Sequence, residues 1–183
     1  MFDQSLVYNL IQIRRNRYPV RESFLQEFIY KFYRHNERCC IKYIVSVKTY
    51  PEGLLTLDYY PKINLTPKKN SIDHIQDLRY RMMTKQNSFG FIGGTILDIM
   101  LDIRSYTDAD TWGFLAASLV NETSNENNKR YQVYTEVLRR TFINDYEVFG
   151  NKENSAIFVI PTNRVANKEH VLERYEKIFA ETN

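Results

Sequence analysis

The sequence predicts a single α+β domain spanning residues 1–183, with a mixed, mostly antiparallel central sheet flanked by helices. Three observations support this prediction. A chain of 183 residues with 43% hydrophobic content can bury one core. Short runs rich in β-branched and aromatic residues end at turn residues, which is typical of strands. Other segments repeat apolar residues every three or four positions, as amphipathic helices do, and both kinds of element are mixed along the chain.

The first third of the chain predicts one uncertain element, one helix and one hairpin. Residues 7–14 alternate weakly and fit either a strand or a frayed helix. Two β-rich runs, 40–49 and 54–60, flank a turn that contains Pro51 and Gly53, which predicts a β-hairpin. Between these elements, Ser23 and Gln26 have the spacing of a capping box. A helix to about residue 35 is predicted from the apolar residues that follow Ser23 at helical spacing, which are Leu25, Phe28, Ile29, Phe32 and Tyr33.

The middle of the chain predicts a glycine-led helix. Residues 70–77 suit a short helical turn and residues 78–85 suit a strand. Gly93 and Gly94 then precede an apolar run that predicts a helix from Thr95 that ends by Tyr106 or Thr107, with Asp98 and Asp102 on its polar face.

The last third predicts three strands and two helices. Residues 112–120 form an apolar run typical of a central strand. Asn127 or Asn128 can cap a helix that carries Tyr134 on its apolar face. Two short strands follow at 146–149 and 156–160, and Asn167 can cap an extra C-terminal helix.

Charge and residue usage exclude several functional classes. The formal net charge is +3 and the basic residues are scattered, so the overall field predicts no nucleic-acid partner. The sequence has no apolar run of membrane-spanning length and no secretion signal, so we expect a cytoplasmic protein with no membrane partner. Cys39 and Cys40 are adjacent and cannot link distant segments, and the three histidines have no metal-ligand spacing, so no metal site is expected.

Residues 90–160 resemble the GNAT superfamily of acetyl-CoA-dependent N-acetyltransferases. In that family a strand leads into a glycine-containing loop, the loop opens a helix, a strand follows, and the next helix carries Asn-x-x-Ala-x-x-x-Tyr before two final strands. Here the glycines at 93 and 94 precede a helix, a strand begins near Trp112, and Asn127 and Tyr134 have the family spacing. The whole pattern is also similar to that of uncharacterised bacterial proteins of this length, which implies no activity.

The resemblance implies acetyl-CoA as cofactor and an amine as acceptor that attacks the thioester directly. Glycines allow backbone N–H groups to approach the pyrophosphate, and the positive end of the following helix adds to the same place. The residues that the resemblance assigns to the cofactor are Gly90, Gly93, Gly94, Thr95 and Asn127. Tyr134 matches the family tyrosine that commonly protonates the departing thiolate, and the general base would be Asp77, Asp58 or a water molecule.

Other interpretations of the same residues stay open. Tyr134 can be a core residue, and the paired glycines can serve close packing of the helix on the sheet. Residues 87–94 do not match the family spacing in any register, and Arg130 stands where the family has a small residue. These departures motivate a catalytically inert module of the same fold that acts in protein binding or regulation. The cluster Arg14, Arg15 and Arg17 motivates a third hypothesis, nucleic-acid binding.

Overall fold

The computed structural model describes residues 4–18, 23–35, 40–62, 89–116 and 126–182. Within these ranges the protein is α+β, with a mostly antiparallel seven-stranded open sheet and three α-helices, which confirms the predicted class. The strands are β1 Tyr8–Arg15, β2 Gln26–His35, β3 Cys40–Tyr50, β4 Leu54–Lys62, β5 Thr111–Leu115, β6 Tyr146–Asn151 and β7 Ala156–Pro161. The helices are α1 Phe89–Asp102, α2 Lys129–Thr141 and α3 Lys168–Thr182.

The strand order in the sheet is β1-β2-β3-β4-β5-β7-β6. β4 and β5 pair in parallel, with Leu54 beside Thr111 and Thr56 beside Gly113. β7 pairs antiparallel with β5 on one side and with β6 on the other. The parallel pair is therefore β4 with β5, and α1 lies between these strands in the chain.

The helix predicted for residues 23–35 is wrong, because this segment forms β2. Phe28 and Phe32 are four residues apart, a spacing that suits both a helix face and an alternating strand. Tyr30 distinguishes the helix from the strand. It is fully buried, as Phe28 and Phe32 are, and only a strand places all three on one face. Leu25, which the predicted helix would bury, is 49% exposed. Burial at every second residue is the strand period, and the aromatic content of the segment favours a strand as well.

The remaining element predictions that fall on described residues are confirmed with shifted ends, while residues 117–120 of the strand predicted for 112–120 lie outside the described residues. Residues 7–14 form a strand, the hairpin of β3 and β4 is present, and β6 and β7 follow α2 as expected. β5 begins at Thr111, and α3 follows directly on a 3-10 turn over Thr162–Asn167. The predictions for residues 70–77 and 78–85 lie outside the described residues.

The chain divides into two compact units. The first contains Met1–Arg14, Phe28–Val47 and Asp58–Asp108. In this unit α1 packs on the aromatic face of β2. Phe32 stacks on Tyr43 with ring centroids 4.9 Å apart, and the Arg34 guanidinium lies 4.5 Å from the centroid of the Phe91 ring.

The second unit contains Arg15–Glu27, Lys48–Leu57 and Ala109–Asn183. Its core lies between α3 and one face of the sheet, where Tyr175 packs against Phe158 and Phe179. On the opposite face α2 covers β6 and β7, with the Tyr131 phenol lying against Gly150. Whether residues 1–183 act as one domain stays a prediction.

Candidate functional site

The residues predicted to form a cofactor site fall in both units. Gly90, Gly93, Gly94 and Thr95 belong to the first unit and to α1. Asn127 and Tyr134 belong to the second unit. The structure therefore presents two candidate regions, each with its own local geometry.

Gly93 and Gly94 lie inside α1 and not before it, so the predicted start of this helix is wrong. α1 begins at Phe89, and Ile92 is buried on the same side as the apolar residues one turn later. Only the first four N–H groups of an α-helix lack an intrahelical acceptor. The N–H groups of Gly93 and Gly94 lie beyond those four, whereas Gly90 is the second residue of α1.

The Thr95 side chain is fully buried and is used by the fold. Its hydroxyl donates to the carbonyl oxygen of Phe91 at 2.7 Å and accepts from the backbone N–H of Leu6 at 2.8 Å. The first bond is the usual return of a helical threonine to the preceding turn. The second fixes the segment before β1 onto α1. Because both roles of the hydroxyl are filled, Thr95 is a structural residue in this structure.

Asn128, and not Asn127, caps α2. The Asn128 side chain accepts from the backbone N–H of Tyr131 at 2.8 Å and donates to the carbonyl oxygen of Ala116. Its own N–H donates to the hydroxyl of Ser155 at 3.2 Å. Asn127 is exposed, has a positive φ of 46°, and donates its N–H to the carbonyl oxygen of Lys152 at 2.8 Å. The start of α2 is thereby held to the end of β5 and to the turn between β6 and β7.

Tyr134 lies in the middle of α2 and is half-buried. The residues of this helix that are buried against the sheet are Tyr131, Thr135 and Leu138, and Tyr134 lies beside this row. The role of Tyr134 as a proton donor stays a prediction.

The parallel junction of β4 and β5 contains a phenol from α3. The Tyr175 hydroxyl accepts from the N–H of Leu55 at 3.3 Å and lies within donating distance of the carbonyl oxygens of Leu55, at 3.0 Å, and Thr111. Its ring lies on Gly113, where an added Cβ would come within 2.4 Å of the ring. Burial raises the pKa of the Tyr175 phenol well above its ordinary value, so this group is a neutral bridge between two strands.

The first unit contains a cluster of phenols and carboxylates beside α1. The Tyr30 hydroxyl donates to the Asp102 carboxylate at 3.0 Å, and the Tyr8 and Tyr30 rings meet edge to face at 6.0 Å between centroids. Burial is the main cause that raises the pKa of the Tyr8 and Tyr30 phenols. The charge of Asp102 comes next for Tyr8, and the hydrogen bond to Asp102 comes next for Tyr30. Asp98 and Tyr106 also raise the pKa of Tyr8. These phenols remain proton donors at neutral pH.

The turn between β3 and β4 is tied to distant parts of the second unit. Glu52 has a positive φ of 66°, and its carbonyl oxygen accepts from Arg164 at 2.8 Å. Its carboxylate lies 2.8 Å from His170 and 3.1 Å from Arg174. Arg164 also lies 3.4 Å from Asp110, the residue that precedes β5. The cluster joins the hairpin turn to α3 and to the start of β5.

The general base is not assigned by this geometry. Asp58 is an exposed residue of β4, and Asp77 lies outside the described residues. A water molecule stays a third candidate for this role.

Sequence reasoning missed the parts played by Gly113 and Tyr175, and it left the cap of α2 open between Asn127 and Asn128. A glycine inside a strand often marks the close approach of another group, so Gly113 carried a readable signal. Asn128 carried a weaker one, since either of two adjacent asparagines suited the cap. The partner of Gly113 had no local signal, because Tyr175 lies 62 positions further along the chain.

Among the described residues, no helix has the length and apolar character needed to span a membrane, and no three potential metal-ligating side chains form a group. Comparison with models of protein families, with curated proteins and with solved structures found no match to this chain.

Proposed function

We propose that this chain is an acyl-CoA-dependent N-acyltransferase related to the GNAT superfamily. One observation carries the proposal: the elements follow the order β4, α1, β5, α2, β6, β7, with β4 and β5 paired in parallel. In the resembled family, too, a strand is followed by a helix, a strand, a helix and two closing strands, and the described elements of this chain fit that order. The spacing from Asn127 to Tyr134 adds to this support.

The cofactor phosphates would bind at the start of α1. No acidic residue lies in the first turn of this helix, and Gly90 is its second residue. Anions are stabilised at helix N-termini by the N–H groups of the first turn and by the helix dipole. Gly90 is the glycine of the predicted set whose position still suits this role.

The reaction would be a direct transfer. The acceptor amine attacks the thioester carbonyl carbon, a C–N bond forms, and the C–S bond breaks with its electron pair leaving on sulfur. Tyr134 donates the phenolic proton to the thiolate, and water or Asp58 takes the proton that the amine loses. An ordinary phenol pKa of about 10 keeps the donor protonated at neutral pH.

Isothermal titration with acetyl-CoA and with coenzyme A tests cofactor binding. Gly90→Asp should weaken binding by about tenfold or more, because the carboxylate repels phosphate, although it favours the helix dipole. Gly93→Ala is the matched control and should bind as the parent does, since its N–H belongs to the helix ladder. Absence of binding to the parent protein at millimolar ligand would overturn the proposal.

Release of free thiol from acetyl-CoA in the presence of a panel of amines tests the chemistry. Loss of a general acid costs about 10²- to 10⁴-fold in rate, so Tyr134→Phe should lose at least the lower figure. Tyr18→Phe, an exposed loop tyrosine, is the control and should keep the parent rate. A Tyr134→Phe variant as active as the parent would remove Tyr134 from the mechanism.

A second candidate function is a catalytically inert module of the same fold. The observation that favours it is the structural use of Thr95 and of the Gly93 and Gly94 N–H groups, which leaves fewer groups for a cofactor. Such a module should bind no acetyl-CoA and should hold a stable protein partner. That partner should remain bound when Tyr134→Phe is made.

A further inference from the structure

We propose that Asn128 and Ser155 are positioning residues for Tyr134, because together they hold the start of α2 against the end of β5. This inference rests on the function proposed above, in which Tyr134 donates a proton to the departing thiolate. All the residues concerned belong to the second unit. Three elements meet there: β5, α2 and the turn between β6 and β7.

Three hydrogen bonds join Ala116, Asn128 and Ser155 in a closed set, which we call the β5–α2 tie. The N–H of Ala116, directly after β5, donates to the carbonyl oxygen of Ser155 at 3.0 Å. The carbonyl oxygen of Ala116 accepts from the Asn128 side chain, and the N–H of Asn128 donates to the Ser155 hydroxyl at 3.2 Å. All three residues are buried, so water does not compete for these bonds.

Ser155 has a backbone conformation that glycine adopts more readily. Its φ is 51°, and a positive φ is strained for residues other than glycine. Glycine would relieve this strain, but it has no hydroxyl to accept from the N–H of Asn128. Backbone strain of this kind clusters where a structure holds a functional group in place. The strained residue at position 155 is therefore one whose side chain the tie requires.

Tyr134 moves with the start of α2, because a helix is stiff over two turns. It follows Asn128 by six residues, which is about 9 Å along the helix axis. Ligands of open α/β sheets bind outside the carboxyl ends of the strands, and the tie lies at that end of β5. A displacement of about 1 Å can lower a rate about 100-fold. The tie therefore sets whether the phenol reaches its proton acceptor.

Asn128→Asp separates the tie from the helix cap. The new carboxylate can still accept from the N–H of Tyr131, but it cannot donate to the carbonyl oxygen of Ala116. The kcat for thiol release from acetyl-CoA should fall about tenfold or more, while the KM for acetyl-CoA changes little. Ser155→Ala removes the acceptor of the Asn128 N–H and should lower kcat in the same way.

Thr141→Val is the matched control on the same helix. It removes one hydrogen bond at the far end of α2, where the exposed Thr141 hydroxyl donates to the carbonyl oxygen of Val137 at 3.0 Å. Its kcat should equal that of the parent protein. Circular dichroism should show the parent fold for all three variants.

The same substitution in a Tyr134→Phe background distinguishes positioning from a general loss of structure. A residue that acts only through the phenol has no further effect once the phenol is gone. Asn128→Asp should therefore change kcat less than about twofold in that background. A loss as large as the one in the parent background would overturn the proposal.

A measurement without acetyl-CoA separates this inference from the proposed function. In the NMR spectrum of protein with carbon-labelled tyrosine rings, the Tyr134 signal should shift or broaden in Asn128→Asp and in Ser155→Ala, but not in Thr141→Val. An unchanged Tyr134 signal in the first two variants would overturn the proposal even in an active enzyme. A parent protein that releases no thiol would overturn the proposed function and the catalytic role of the tie, and a shifted Tyr134 signal would then show that the tie still holds α2.

Discussion

Tyr175 shows how much of this fold depends on single side-chain contacts. Its hydroxyl accepts from the N–H of Leu55 and lies within donating distance of the carbonyl oxygens of Leu55 and Thr111, so it bridges the parallel pair. Its ring occupies the space that a side chain at position 113 would need. Glycine at 113 and tyrosine at 175 are therefore matched residues.

Changing either member of this pair should lower the free energy of unfolding. Gly113→Ala forces the ring or the strand to move, which costs about 1–3 kcal/mol. Tyr175→Phe leaves the Leu55 N–H without its buried acceptor, at a cost of about 1–3 kcal/mol. Urea unfolding measures both. The double variant should cost less than the sum of the single changes, because the residues are in contact, and strict additivity would contradict the match.

The raised phenol pKa values predict a loss of stability at alkaline pH. The phenols of Tyr30 and Tyr175 have pKa values raised by burial, whereas tyrosines of the unfolded chain titrate near pH 10. Above about pH 10 the unfolded chain has lost protons that the folded protein keeps, so stability falls as pH rises. Below that pH their contribution is fully present.

Urea unfolding at a series of pH values from about 8 to 11 measures this effect. Tyr30→Phe should show a shallower decline above pH 10 than the parent, whatever its stability at neutral pH. Tyr18→Phe, which changes an exposed tyrosine, should decline as the parent does. Equal slopes for the parent and Tyr30→Phe would contradict the assignment.

At the scale of elements, the start of α2 is held by one asparagine of an adjacent pair. Asn128 is 4% exposed and makes bonds through its side chain in both directions, whereas Asn127 is exposed with a positive φ. At position 128, stability depends both on a buried side chain and on the cap that it forms. At position 127, it depends only on the backbone conformation.

The two asparagines therefore predict opposite results on substitution. Asn128→Ala should cost about 1–3 kcal/mol, because it removes the cap and leaves the Ala116 carbonyl oxygen without a buried donor. Asn127→Gly should be neutral or slightly stabilising, since glycine suits the positive φ. Thermal unfolding compares them. A larger loss for Asn127→Gly would show that the cap has been misassigned.

Strands marked by turn residues or by an unbroken apolar run were predicted correctly from the sequence. A segment whose apolar spacing fits both a helix and a strand was not. The β3–β4 hairpin followed from its turn residues Pro51 and Gly53, and β7 followed from its unbroken apolar run. β2 was mistaken for a helix because Phe28 and Phe32 satisfy both periods, and the burial of Tyr30 is a tertiary fact. α1 was begun too late because glycine is a poor helix residue, a preference that packing of Ile92 overrides.

The order and spacing of the candidate site residues along the chain could be read from the sequence, but their contacts in the folded protein could not. The spacing of Asn127 and Tyr134 was visible in the sequence, but the exposure of Asn127 and the bonds of Thr95 depend on segments far away in the chain. Leu6, the partner of the Thr95 hydroxyl, lies 89 residues before it. No local pattern predicts such a contact.

At the scale of the molecule, Glu52 links segments more than 100 residues apart. Arg164 bonds its carbonyl oxygen, while His170 and Arg174 meet its carboxylate. The backbone bond needs no side chain at position 52. The side-chain pairs are about half exposed, and exposed ion pairs contribute at most about 1 kcal/mol each.

Two substitutions at position 52 separate these effects. Glu52→Gln should lower stability by no more than about 1 kcal/mol at low salt, and added salt should remove the difference. Glu52→Gly loses the same pairs but relieves the positive φ, which costs other residues about 1 kcal/mol or more. It should be at least as stable as Glu52→Gln in urea unfolding, and a clearly less stable glycine variant would contradict this order.

The phenol bridge between β4 and β5 also affects when the fold can form. Tyr175 meets Leu55 across 120 positions of sequence, and Thr111 across 64. During synthesis β4 and β5 leave the ribosome well before Tyr175, the residue that bridges them. Contacts of such long range slow folding, because loop closure costs entropy before the contact is gained. The emerging chain must therefore wait, with its parallel pair incomplete, until α3 has been made.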